Sequence, residues 1–453
     1  MTFFGIKGLS PEGPSDIRRI LTAILLLMPL LPQPPASAQG PWHLDSCIGY
    51  ALQHNLRLKD QAIEISDRKA QLVRSTLGLL PSVNAQVVRD YNWGRSVDMQ
   101  ELTITRDKLT TATGLSLEGA WTLFGGLSAQ NERLAVKETV REAEAEREHL
   151  RRALVADVTR SYLNLMLAKQ ILTYARESEA TIERQCERTR SLVEAGSQPK
   201  SALSEMEAQV ASERARVVEA SCNVRSATLS LMQLMNYPPG DDGLVVAEGF
   251  DDRQFPAARD SLDDLQIEAM AVRDPRIEAA RARVSRMKHQ VAAGQGAALP
   301  RLAVTASYGT FASSTSDEDS RKQLGDNRNP SVSLSLTVPL FNFGETAIRL
   351  KRSRLALQKA VLAREQMQIE VSDEIRAAVI EADNCSQKCI SALETLKAAS
   401  GALEVTEAKY NLGASTALDY IVARNNHFKA ISDLLQARWQ YMFQLKMLDY
   451  YRQ

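Results

Sequence analysis

Residues 79–93 read "LLPSVNAQVVRDYNW". From Ser82 onward apolar side chains recur at Val83, Ala85, Val87, Tyr91 and Trp93, with Ser82, Asn84, Gln86, Asp90 and Asn92 between them. A period of two marks a strand with one apolar and one wetted face. The surrounding sequence has the opposite character. No Pro or Gly occurs from Leu127 to Ala195, and Gly401 is the one such interruption from Glu345 to Leu412. At 1.5 Å per residue, a helix over the first stretch is on the order of 100 Å long. Isolated strands among such helices must find pairing partners somewhere.

The strand motif is written twice. "LLPSVNAQVV" (79–88) is echoed by "ALPRLAVTAS" (298–307), and "GLSLEGAWTLFGG" (114–126) by "SVSLSLTVPLFNFG" (331–344). "RTRSLVEAGSQPKSALSEMEAQVA" (188–211) returns as "VTEAKYNLGASTALDYIVARNNH" (405–427). Pro81 and Pro300 are 219 residues apart, and Gly196 and Gly413 are 217 apart. Ordered landmarks at nearly constant spacing indicate an internal duplication. The first repeat covers 39–235 and the second 262–453, joined by a Pro-, Gly- and Asp-rich connector at 236–261. Each repeat is predicted to run helix, strand, polar loop, strand, long helix, Gly-containing turn, second helix. The strand pairs are 82–93/113–124 and 301–311/331–341, with loops at 94–110 and 312–330. The helical hairpins are 127–235 and 344–450, with tips near 196–199 and 413–416.

Each strand has about 11 residues, within the roughly 9–11 that a tilted membrane-spanning strand needs. Tyr91, Trp93, Tyr308 and Phe311 gather at one rim, and Trp121, Phe124, Phe341 and Phe343 at the other, as in the aromatic girdles of membrane barrels. In hydrocarbon every backbone polar group must be paired, so an open four-stranded sheet cannot span a bilayer. Chains must pool their strands: two copies give eight and a filled lumen, three give twelve and an open channel.

Residues 1–38 read as an export signal. Arg18 and Arg19 precede the apolar run Ile20–Leu31, prolines follow, and Ala36-Ser37-Ala38 fits a cleavage site. The net charge of zero gives no reason to expect a nucleic-acid partner. The five His are scattered, and Gly125-Gly126 lacks the Lys-Ser/Thr of a phosphate loop. No catalytic, cofactor or metal site is expected. Cys385 and Cys389 share a helix face and read as small packing residues. Val155, Val158, Tyr162, Leu165, Lys169 and Leu172 form a heptad seam with one lapse, and Glu148 and Arg152 are spaced for an i,i+4 pair.

Duplicated strand pairs joined to Gly-tipped helical hairpins behind an export signal resemble the TolC family of outer membrane efflux proteins. "WHLDSCIGYALQHNLRLK" (42–59) is similar to the family's start, with its Ala-Leu-x-x-Asn pattern. "LLPSV" and "LFNFG" resemble its helix–strand junctions, and "KYNLGASTALDYIVARNN" (409–426) its second hairpin tip. The resemblance implies a mainly α fold with transmembrane β: a homotrimer with a twelve-stranded barrel in outer-membrane lipid and a long periplasmic α-helical barrel. It implies an exit duct of a tripartite efflux pump or type I secretion system, docked to a periplasmic adaptor and an inner-membrane transporter, with no enzymatic step. It places Asp419 and Tyr410 at the pore constriction. Gly196, Ser197, Gln198, Pro199, Gly413, Ala414, Ser415 and Thr416 become adaptor contacts. The chain departs from the family pattern where Ala202 occupies the first-repeat counterpart of Asp419, Ser415 stands in place of an Arg, and Val422 in place of a second acid. A periplasmic coiled-coil adaptor or scaffold is the alternative function.

Overall fold

The computed structural model describes residues 42–97, 104–238, 263–316 and 318–452. The expected export signal and most of the expected connector lie outside them. The first repeat contains α1 (Leu44–His54), α2 (Leu56–Leu77), β1 (Ser82–Val97), β2 (Ile104–Gly125), α3 (Ser128–Glu194) and α4 (Lys200–Met235). The second contains α5 (Asp264–Val272), α6 (Pro275–Gly296), β3 (Arg301–Ser313), α7 (Ser320–Asp326), β4 (Asn329–Thr337), α8 (Glu345–Asn411) and α9 (Ala417–Arg452). Corresponding helices have equal lengths: 22 residues in α2 and α6, 67 in α3 and α8, 36 in α4 and α9.

The unequal lengths within a repeat set its architecture. α4 returns along only the tip-proximal half of α3, where Arg214 bonds Glu183 and Arg190 bonds Glu207. The other half of α3 packs on α2 and α6: Lys69 pairs with Glu144, and Arg286 with Glu142. α2 therefore continues the line of α4. Asn55 splices them, its side-chain carbonyl accepting from Arg57 N and Leu58 N at the start of α2 and its amide donating to Leu234 O at the end of α4. This role explains the Asn of the Ala-Leu-x-x-Asn pattern. Asp274, 219 residues later, caps α6 through Arg276 N and also binds the Arg276 guanidinium, which reaches Glu374 on α8.

The strands form one antiparallel sheet in the order β1-β2-β3-β4. Their limits differ from the sequence expectation. The expected loop at 94–110 is mostly strand, because β1 runs on to Val97 and β2 starts at Ile104. Its threonines are polar in composition but β-branched, and they suit a pleated ribbon. The second loop carries α7, pinned by Gln323, which accepts from Ser313 N and donates to Ser313 O and Glu318 O. β4 ends at Thr337 instead of 341, since Pro339 has no N–H for the ladder. Phe311 lies opposite Gly114 on the polar face, not on the apolar face that carries Tyr308.

The predicted seam on α3 is also broader in the structure. Leu154, Val158, Tyr162, Leu163, Leu165 and Met166 are all buried, because α1, α2, α4, α6 and α9 contact this helix from several sides. Glu148 does pair with Arg152, and with Arg151.

Candidate channel wall and hairpin tips

Register divides the sheet into two chemically distinct faces. Leu117 lies between Ala85 and Tyr308, and Trp121, Val304 and Leu334 line up on the same side. The other face aligns Asn84, Glu118, Ser307 and Ser331 across all four strands, with Ser307 and Ser331 hydrogen-bonded at 2.7 Å. Leu334, Leu336 and Val332 on the apolar face are all exposed in the single chain. The outer edges of β1 and β4 have no strand neighbour among the described residues. An apolar face and two open edges are unstable in water. Among the described residues no helix is long and apolar enough to cross a membrane.

The tips close by the same backbone device. In the first, Gly196 N donates to Val193 O and Ser197 N to Leu192 O; in the second, Gly413 N donates to Tyr410 O and Ala414 N to Lys409 O. Both glycines have φ of +74°, the left-handed conformation this helix ending uses and L side chains disfavour. Beyond the glycine the tips diverge. Pro199 opens α4 without a side-chain cap. Thr416 and Asp419 open α9 with a reciprocal capping pair, Asp419 N donating to Thr416 Oγ1 and Thr416 N to Asp419 Oδ2. The hydroxyls of Thr416 and Ser415 donate to the same carboxylate oxygen. These hydrogen bonds, the Thr416 hydroxyl first, hold the Asp419 carboxyl below its ordinary value. Asp419 is an exposed, ionised group fixed at a helix start.

Tyr410 is 3 % exposed and lies inside the tip. Its hydroxyl shares a 2.9 Å hydrogen bond with Thr189 on α3, and its ring stacks on Tyr420. Tyr410 therefore joins the two hairpins, and its influence on a lumen runs through their positions. Two residues that the sequence reading passed over complete the joint. Arg424 donates to Tyr420 Oη and to Ser178 O, and Arg188 donates to Asn411 Oδ1. The exposed tip residues Gly196, Ser197, Pro199, Gly413, Ala414 and Thr416 project beyond this joint, while Gln198 and Ser415 are partly covered.

Away from the tip, ionisable groups on α3 and α6 are partly buried. Burial and then Glu142 push the Glu146 carboxyl up; burial and then Arg276 push His149 down. Burial raises the thiol of Cys385, which packs with Tyr441 and Leu445, to about 11. Among the described residues no group of three or more His, Cys, Asp or Glu could hold a metal ion.

The sequence model of a family described as outer membrane efflux protein matches residues 47–237 and 267–449. The outer membrane efflux protein BepC of Brucella suis is 24% identical over 379 residues, covering 83% of this chain and 77% of that one. The alkaline protease secretion protein AprF of Pseudomonas aeruginosa is 23% identical over 375 residues, covering 81% and 76%. Among solved structures, CusC superposes with a TM-score of 0.79 at 18% identity, covering 91% of this chain and 94% of that one.

Proposed function

This chain belongs to the outer membrane efflux protein family and is an outer-membrane channel protein; from that premise we propose that three copies form the exit duct of a tripartite efflux pump or type I secretion system. The family match sets aside the adaptor or scaffold alternative. The observation that carries the proposal is the open sheet. Its order leaves β1 and β4 as edges, and joining β4 of one copy to β1 of the next pairs both. Three copies close a ring of twelve strands, wide enough for a lumen lined by Asn84, Glu118, Ser307 and Ser331.

The helices favour the same closure. Ile348, Leu355, Leu362 and Ile369 form an exposed heptad stripe on α8, and Leu56, Ile63 and Leu77 an exposed stripe on α2. Each stripe spans 22 residues, about 32 Å, and packing one on the other covers both. The hairpins then extend into the periplasm. Their tips, Gly196–Pro199 and Gly413–Thr416, contact a periplasmic adaptor, which links the duct to an inner-membrane transporter. Asp419 in three copies supplies a negative ring at the constriction, and Tyr410 holds the hairpins that carry it.

Purified protein reconstituted into a planar bilayer tests the duct. Discrete conductance steps with a preference for cations are expected, and Asp419→Ala should reduce that preference. A protein that inserts yet gives no conductance would contradict the proposal.

A further inference from the structure

The contact between the two repeats inside one chain is a template for the contact between chains. Packing order along the upper helices is α2-α3-α6-α8, parallel to the strand order β1-β2-β3-β4. α3 against α6 is thus the repeat-to-repeat seam, and its counterpart between chains is α8 against the neighbour's α2. α3 maps onto α8 by an offset of 217 (Ser128 onto Glu345), and α6 onto α2 by 219 (Pro275 onto Leu56).

Three contacts on the internal seam translate into specific pairs. Gly126 and Gly296 approach so closely that a Cβ on either would collide with the other's backbone. Their counterparts are Phe343 and Leu77, which are 90% and 58% exposed in the single chain. Ser128 Oγ donates to Ala293 O at 2.9 Å. The counterparts are Glu345 and Arg74, both exposed. Arg286 Nε bonds Glu142 Oε2 at 3.1 Å. The counterparts are Asp67 and Lys359, both exposed, an ion pair with its signs exchanged. Asp67 is shorter than Arg286, but Lys359 is correspondingly longer than Glu142. Bulk replaces glycine on both sides of the first contact, and opposite charges meet at the other two.

We infer that the inter-chain seam is sealed by Phe343 on the neighbour's Leu77, Glu345 on its Arg74 and Lys359 on its Asp67, and that the exchanged signs make the seam selective. This rests on the homotrimer proposed above. A chain docking α2 onto the acidic face of α3 would set Asp67 against Glu142, a like-charge contact that disfavours the wrong partner. The inference is confined to the helical seam: the strand contact Arg301–Thr122 maps onto Ser82 and Pro339, which form no comparable pair.

Cysteine cross-linking and charge exchange test it in full-length protein carrying Cys222→Ser, which removes an exposed thiol. Oxidation of Leu77→Cys/Phe343→Cys should give covalent dimers and trimers on a denaturing gel, with neither single variant doing so. Asp67→Lys or Lys359→Asp alone should raise the ratio of dissociated to assembled protein, read at the parent's dissociation midpoint, by on the order of tenfold, since three pairs per ring change together. The double exchange Asp67→Lys/Lys359→Asp should return it to the parental value. A parental trimer that neither cross-links through this pair nor is restored by the double exchange would overturn the inference and leave the trimer standing. A monomeric parent would overturn the homotrimer, and this seam with it.

Discussion

The first repeat and the second have the same skeleton and different chemistry at matched points. Helices of 22, 67 and 36 residues recur, as do left-handed glycines at both tips. The turn from strand to long helix also recurs, with two successive left-handed residues: Gly126-Leu127 in one copy and Phe343-Gly344 in the other. A glycine serves each turn but at different positions. The cap that opens the 22-residue helix is an amide in one copy, Asn55, which also reaches Leu234 O, and a carboxylate with its own arginine in the other, Asp274. The tip is uncapped by side chains in one copy and capped by Thr416 and Asp419 in the other. Backbone requirements are therefore shared between repeats, while the polar contacts divide the labour of one chain into two faces.

The largest effect should come from the shared apolar face of the sheet. Leu334→Arg should cost about 2–4 kcal/mol per chain at mid-bilayer and abolish trimer yield in detergent extracts. Ser333→Arg, on the polar face, should assemble. If both assemble, the two faces are not distinguished by lipid. Next is this cap, where the repeats should respond differently. Asn55→Asp sets an oxygen against Leu234 O in place of a donor and should cost about 1–3 kcal/mol in chemical unfolding. Asp274→Asn keeps the oxygen that accepts from Arg276 N, and Arg276 keeps Glu374, so its cost should stay below that of Asn55→Asp. Equal costs would remove the asymmetry.

The tip glycines should instead behave alike. Gly196→Ala and Gly413→Ala should each cost about 1–2 kcal/mol, because both require the left-handed backbone. The tip caps should differ in kind. Thr416→Ala should lose about 1 kcal/mol of helix stability and leave cation preference intact. Asp419→Asn should do the reverse, altering currents while the amide oxygen still caps α9. Smallest in energy is thiol reactivity. At pH 7 a maleimide should label exposed Cys222 in folded protein and leave Cys47 and Cys385 unmodified, since burial raises both thiols to about 11. Rapid labelling of Cys385 would show that the helix pair around it opens.

Much of this architecture was legible because it depends on local, periodic signals. Alternation at 82–93, Pro81 and Pro300 at helix ends, the Gly-free helical runs and the repeat offsets gave the strands, the hairpins and the duplication. Contacts between distant segments were less so. Thr105 and Thr110 read as loop because polarity was counted and β-branching was not, although the residues are compatible with a strand. The division of the first hairpin into a 67-residue and a 36-residue helix follows from where α4 meets Asn55, a contact 179 residues apart in sequence. Asp419 was recognisable from the tip motif, but its capping pair with Thr416 was passed over, although Thr416-x-x-Asp419 has the capping-box spacing. Arg424 and Arg188 were not recognisable, since charged residues on an exposed-looking helix carry no mark of the neighbouring hairpin they reach.

The central claim is that the four strands of one chain are completed by those of other copies. Its most direct test is the protein mass of the full-length, exported protein in mild detergent, measured by light scattering with the detergent contribution subtracted. A mass three times that of the single extracted chain, read by mass spectrometry, is expected. A monomer soluble in detergent-free buffer would mean that the sheet's edges and apolar face need no partner, which would contradict the account.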